Sequence, residues 1–216
     1  MATSHPSLVA AARDAVEPLL RTDRTRILVG IAGPPAAGKS TLAQTLAGAL
    51  CAAHGPDTAV AIGMDGFHLA NSELARLGLA ARKGAPDTFD AAGFVAMLRR
   101  LRSDEAVVYT PVYSRVLHES IGGVVPVPAS VRVVVVEGNY LLLPHEPWSQ
   151  ARELLDLVCY LDAPTDARVE SLLRRQRMRG LDRGAAMDWV HGSDEVNAEL
   201  IATTRARADV ILARPR

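Results

Sequence analysis

Lysine is nearly absent from this chain. Of its 24 basic residues only Lys39 and Lys83 are lysine, and the rest are arginine. A compositional bias towards arginine explains most of that count, yet a retained lysine marks a place where a compact ammonium serves better than a planar fork. Net charge is missing too. Twenty-four basic residues against 24 acidic ones leave zero, which excludes a nucleic-acid or membrane surface held by bulk charge. Aromatic residues amount to 4%, so a ring that stacks on a ligand has to come from Phe89, Tyr113 or few others. The two cysteines, Cys51 and Cys159, each sit inside an apolar run. They predict buried thiols rather than a disulfide, and a cytoplasmic protein. No apolar run approaches the length that crosses a bilayer. The first twenty residues lack the basic start and apolar centre of a secretory signal. They predict an amphipathic helix instead, with Leu8, Val9, Ala12, Val16, Leu19 and Leu20 at helical spacing.

What the chain does have is a complete phosphate loop. Gly33-Pro-Pro-Ala-Ala-Gly-Lys-Ser40 follows an apolar run, Arg26–Ala32, and precedes Ser40–Ala53, which is rich in helix formers. Strand, glycine loop and helix N-terminus together make an anion site, because loop N–H groups and the helix dipole point at phosphate. This context predicts that Gly33, Pro34, Ala36, Ala37, Gly38, Lys39, Ser40 and Thr41 surround a nucleoside triphosphate. Lys39 bridges the β- and γ-phosphates, and Ser40 offers its hydroxyl to Mg²⁺. Elsewhere, apolar β-rich runs alternate with helical patterns, the sign of βαβ units and a parallel sheet. Strands are expected near Ile27–Ala32, Ala59–Met64, Val131–Glu137, Asp156–Leu161 and Asp209–Leu212. Helices are expected over Ser40–Ala53, Ala91–Arg102, Thr165–Arg179, Arg183–His191 and Glu195–Arg207. The stretch 107–127 breaks the rhythm and predicts an irregular β-hairpin. The reading is one α/β domain over 1–216, a three-layer P-loop NTPase fold with a mainly parallel sheet, that hairpin, and a helical lid near 165–182.

Two acids sit where strands should end. Ligands of open α/β sheets bind beyond the carboxyl ends of the strands, so Asp65 in Met64-Asp-Gly-Phe-His68 should lie beside the loop. Transfer to an alcohol needs a carboxylate that orients the hydroxyl and takes its proton, and Asp65 is the candidate. Glu137 ends the run Val131–Val136 and is expected to serve Mg²⁺ through water or to orient a hydroxyl. The two acids can exchange these roles. On Thr165–Arg179 the spacing predicts a packed stripe of Val169, Leu172, Leu173 and Gln176. Arg168, Arg175 and Arg179 line up beside it, and Arg174 and Arg177 fall on the other flank. Arginines converging on one patch suit a lid over triphosphate; a solvated helix face is the competing reading.

Five motifs in order, GPPAAGKST, MDGFH, RKGAPDTFD at 82–90, TPVYSRVLHES at 110–120 and VVVVEGNYLL at 133–142, resemble the uridine kinase, pantothenate kinase and phosphoribulokinase group of P-loop kinases. The resemblance is closest to compact bacterial members described as nucleoside/nucleotide kinase-like or fructokinase-like. It implies ATP and Mg²⁺ as cofactors and a small-molecule acceptor, nucleoside or sugar, as partner, with no nucleic acid or membrane, in a monomer or homodimer. It implies a catalytic set of Asp65, Lys39, Glu137 and Arg175, with Arg168 and Arg179 on the nucleotide. The implied acceptor set is Asp65, His68, Arg82, Lys83, Asp87, Phe89, Tyr113, Arg115 and His118. Pantothenate kinases of the group are longer and carry PVYSH where this chain has PVYSR. A nucleotide-dependent switch or regulator acting on a protein partner is the competing class.

Overall fold

The computed structural model describes residues 5–178 and 180–213. Six residues with no exposed side chain, Ile27–Ala32, form β1 at the centre of a five-stranded sheet. Its companions are β2 (Ala59–Gly63), β5 (Val133–Glu137), β6 (Leu157–Asp162) and β7 (Val210–Ala213), in the order β2-β5-β1-β6-β7. Every pairing in this sheet is parallel. Runs such as Val133–Val136 are buried along their length because helices cover both faces. On one face Ile27, Val29, Ile31, Val133 and Val135 meet α1 (Pro6–Leu20) and α2 (Lys39–His54). The alternate residues Leu28, Val134 and Val136 meet α4 (Ala91–Leu101) and α5 (Trp148–Glu153) on the other. Leu42, Leu46 and Leu50 of α2 are fully buried, each contributing about 1.5–3 kcal/mol by leaving water.

The remaining elements surround the carboxyl end of the sheet. A 3₁₀ turn, Met64–Phe67, continues β2, and α3 (Asn71–Arg76) follows. The hairpin pairs β3 (Val107–Ser114) with β4 (Glu119–Pro128), antiparallel, with an irregularity between Thr110 and Val112. Gly122 and Gly123 lie inside β4; the chain reverses before it, where His118 has a positive φ of 54°. Helices α6 (Thr165–Met178), α7 (Arg183–Trp189) and α8 (Glu195–Ala202) close the structure. A π-helical turn, Val190–Asp194, joins α7 to α8.

Several expectations need correction. The predicted helix over Glu195–Arg207 stops at Ala202, and Arg205–Arg207 form a separate 3₁₀ turn. The buried stripe of α6 runs through Arg168, Leu172 and Gln176, while Val169 and Leu173 are only half-buried. Leu172 and Gln176 are buried as expected, and the stripe turns towards Arg168 because its guanidinium pairs with Glu195. Helices α3 and α5, six residues each, were not expected, since so short a segment shows too little of the helical period. Among the described residues no helix is long and apolar enough to cross a membrane.

Candidate active site

Sheet register brings the site together. Glu137 stands opposite Ile31 of β1 and Gly63 of β2. The phosphate loop leaves β1 one residue later, and Asp65 follows Gly63 by two. A Cβ on Gly63 would stand 3.1 Å from the Glu137 carboxylate, so the bare glycine leaves that acid its place. The turn carrying Asp65 is fixed from the other side as well. A Cβ on Gly66 would come within 2.5 Å of the Pro111 carbonyl oxygen on β3, so only glycine lets the turn lie against the hairpin.

The loop itself needs left-handed backbone at Ala36 (φ 60°) and Gly38 (φ 101°). At Gly33 a side chain would run into the Leu161 carbonyl oxygen 2.6 Å away. Of the loop residues expected on nucleotide, Ala36, Gly38, Lys39, Ser40 and Thr41 line a cavity of about 440 Å³, joined by Pro35. Gly33, Pro34 and Ala37 stand behind that wall. The Pro34 carbonyl accepts a 2.9 Å hydrogen bond from Lys39 Nζ, and Ala37 is packed into the core.

Three charged groups converge inside. Lys39 is 7% exposed. Burial lowers its ammonium to a pKa of about 8, with Glu137 and then Asp65 opposing the fall. Burial raises Glu137 to about 7, reinforced by Asp65 and countered by Lys39. Ser40 Oγ donates to Glu137 Oε1 at 2.9 Å. Ser40, Glu137 and Asp65 are a hard oxygen set beside a loop built for phosphate, and such a set fits Mg²⁺. Among the described residues no three His, Cys, Asp or Glu side chains form a metal cage.

The opposite wall carries much of the expected acceptor set. Asp65, His68, Lys83, Phe89, Tyr113, Arg115 and His118 all line the cavity. The His68 ring lies 4.0 Å from that of Phe89 and 4.7 Å from that of Tyr113. Lys83 Nζ donates to Asn71 Oδ1 and to the His118 carbonyl, 2.8 Å away, and stands 5.1 Å over the Tyr113 ring. Arg82 and Asp87 are elsewhere. They pair with each other at 3.1 Å, both largely exposed, and neither lines the cavity.

On the helical side Arg174 and Arg175 line the cavity with Ser171, Gln176 and Met178. Burial lowers the Arg175 pKa, and Arg115 lowers it further. Arg168 lies outside this wall. It is 4% exposed, and Nη1 reaches the Pro35 carbonyl at 3.4 Å and Glu195 at 3.2 Å, bracing the phosphate loop against α8. Arg179 lies outside the described residues. Sequence reasoning missed Asn139, Trp189, Asp194 and Asn197, which also line the cavity. Asn139 had a signal in its place two residues after the strand-end acid. Trp189 ends α7, and Asp194 and Asn197 lie in and after the π turn, which has no pattern in sequence.

The sequence profile of the Phosphoribulokinase / Uridine kinase family matches residues 28–216. A Schizosaccharomyces pombe protein provisionally named a uridine kinase is 31% identical over 198 residues, covering 88% of this chain and 84% of that one. A pantothenate kinase of Leifsonia xyli subsp. xyli is 32% identical over 167 residues, 76% of this chain but 51% of that enzyme. The crystal structure of a Silicibacter sp. TM1040 protein, provisionally described as a fructose transport system kinase, superposes with a TM-score of 0.85. It is 36% identical and covers 94% of this chain and 98% of its own. With its parallel sheet, phosphate loop and strand-end acids, the chain belongs to the phosphoribulokinase/uridine kinase family of P-loop kinases.

Proposed function

We propose that this kinase transfers the γ-phosphoryl group of Mg-ATP to a hydroxyl of a small metabolite, a nucleoside or a sugar. The observation that carries the reading is the 2.9 Å contact between Ser40 and Glu137, with Lys39 and Asp65 close enough to shift the Glu137 carboxyl. Loop N–H groups and Lys39 hold the phosphates. Ser40 and Glu137 would hold Mg²⁺, which would supply charge neutralisation at the phosphate oxygens. Asp65, which lines the same cavity, orients the acceptor hydroxyl and takes its proton. Arg175, already on the cavity wall, faces charge spreading over the transferred group, and α6 acts as the lid. Arg168 stiffens the loop from behind.

Acceptor-dependent ADP release tests this, with Mg-ATP and a panel of nucleosides and sugars and Lys39→Ala as the blank. Wild-type release that rises with one acceptor, and is absent in the variant, is expected. Release that no acceptor changes would overturn the reading.

A further inference from the structure

We propose that Lys83 is a positioning residue: its ammonium holds the turn between β3 and β4 and so sets Arg115 and His118 on the wall that meets the acceptor; this rests on the kinase reading above. The turn needs support from outside itself. His118 has a φ of 54°, a left-handed conformation that a residue with a side chain adopts at a cost and that its surroundings must maintain. Packing at the tip does not supply this, since Val116 is 88% exposed and Leu117 62%. Yet Arg115 and His118, on either side of that pair, both line the cavity. Where the turn goes, these two side chains go.

The support converges on one atom. The His118 carbonyl oxygen accepts from Lys83 Nζ at 2.8 Å and from Asn71 Nδ2 at 3.1 Å. Asn71 turns its own amide oxygen to the same ammonium, so the three groups close a triangle in which every donor meets an acceptor. Asn71 opens α3, and its backbone N–H donates to the Glu119 carboxylate at 3.0 Å, so α3 also holds the residue after His118. Lys83 has a firm base of its own. The Gly84 N–H donates to Thr88 Oγ1 at 2.9 Å, and the Gly84 carbonyl accepts from the Tyr140 hydroxyl. Thr88 and Tyr140 are fully buried, and Tyr140 lies three residues beyond Glu137. The tie therefore runs from the strand-end acid to the hairpin turn. A compact ammonium can meet two oxygens and the Tyr113 face together, which a planar guanidinium does less well. This gives the second lysine of an arginine-rich chain its reason.

Two measurements test this. The first, amide hydrogen exchange, needs no substrate. In Lys83→Met the amides of residues 115–119 should exchange about tenfold faster or more, the scale of one lost hydrogen bond to a charged group. Ser120 Oγ donates to the His68 carbonyl at 3.0 Å, so the loosening should stop there and leave 120–128 unchanged. Asn71→Ala should loosen the same turn. The second measurement is transfer from Mg-ATP to D-fructose, D-ribulose, uridine and cytidine. Lys83→Met should raise the KM of the compound phosphorylated about tenfold, with KM for Mg-ATP unchanged. In a His118→Ala protein the same substitution should raise it by a smaller factor, because one of the side chains it positions is gone. Unchanged exchange of the turn in Lys83→Met, or an equal factor in the His118→Ala protein, overturns this inference and leaves the kinase standing. So does a KM restored by Lys83→Arg while the turn stays loose, which would assign the role to charge alone. Transfer to no compound overturns both.

Discussion

Replacing Glu137 by glutamine should stabilise the empty protein and disable it. The native carboxyl is raised from 4.5 to about 7 by burial and by Asp65. A group with a raised native pKa binds more protons folded than unfolded, so its contribution is full below about 4.5 and is lost as pH rises through about 7. At about 1.4 kcal/mol per pH unit the interval corresponds to about 3 kcal/mol. That is an upper bound on the gain, since Glu137 also favours the buried Lys39 ammonium, which loses a partner in the variant. Glutamine keeps an oxygen for the Ser40 hydroxyl and removes the charge. We expect Glu137→Gln to be more stable by about 1–2 kcal/mol at pH 7.5, with a flatter stability profile between pH 4.5 and 7. Lys39, lowered to about 8, gives the opposite slope, with stability recovering between about 8 and 10.5. Urea unfolding over this pH range reads both trends. Mg-ATP should raise the melting temperature of the wild type and barely that of the variant. A variant less stable than wild type at pH 7.5, or equally stabilised by Mg-ATP, would refute the reasoning.

Gly66→Ala should cost about 1–3 kcal/mol by overpacking against Pro111, and lower kcat about 100-fold because the Asp65 turn is displaced; chemical denaturation and steady-state kinetics check both. Glu195→Ala leaves Arg168 buried without its carboxylate and should destabilise by about 3–5 kcal/mol. The double replacement Arg168→Met with Glu195→Leu should recover most of that, and thermal melts decide it.

The sheet and the phosphate loop were legible because their signals are local. Ile27–Ala32 is apolar throughout and ends at the loop, and the observed strand has the same bounds. Asp65 and Glu137 were legible as a pair because Glu137 ends β5 opposite Gly63, the last residue of β2, and Asp65 follows Gly63 by two in the turn beyond it. What sequence left open was direction. Arg168 and Arg175 share a helix, yet one is buried behind the loop and the other lines the cavity. Helical spacing gives their separation and not which neighbour each will find. Arg82 and Asp87 have the right motif, but five residues apart across a short turn they satisfy each other. Asp194 and Asn197 lie in and just beyond a π turn, and one inserted residue rotates a helix face that a 3.6 period would have placed elsewhere.

The most direct measurement follows the label from γ-³²P-ATP in the presence of the accepted small molecule, comparing wild type with Asp65→Asn. The account predicts label in a low-molecular-weight phosphomonoester, formed about 10²–10⁴ times more slowly by the variant, with Mg-ATP affinity nearly unchanged. Label appearing only as inorganic phosphate, or a loss of Mg-ATP binding in Asp65→Asn, would contradict it.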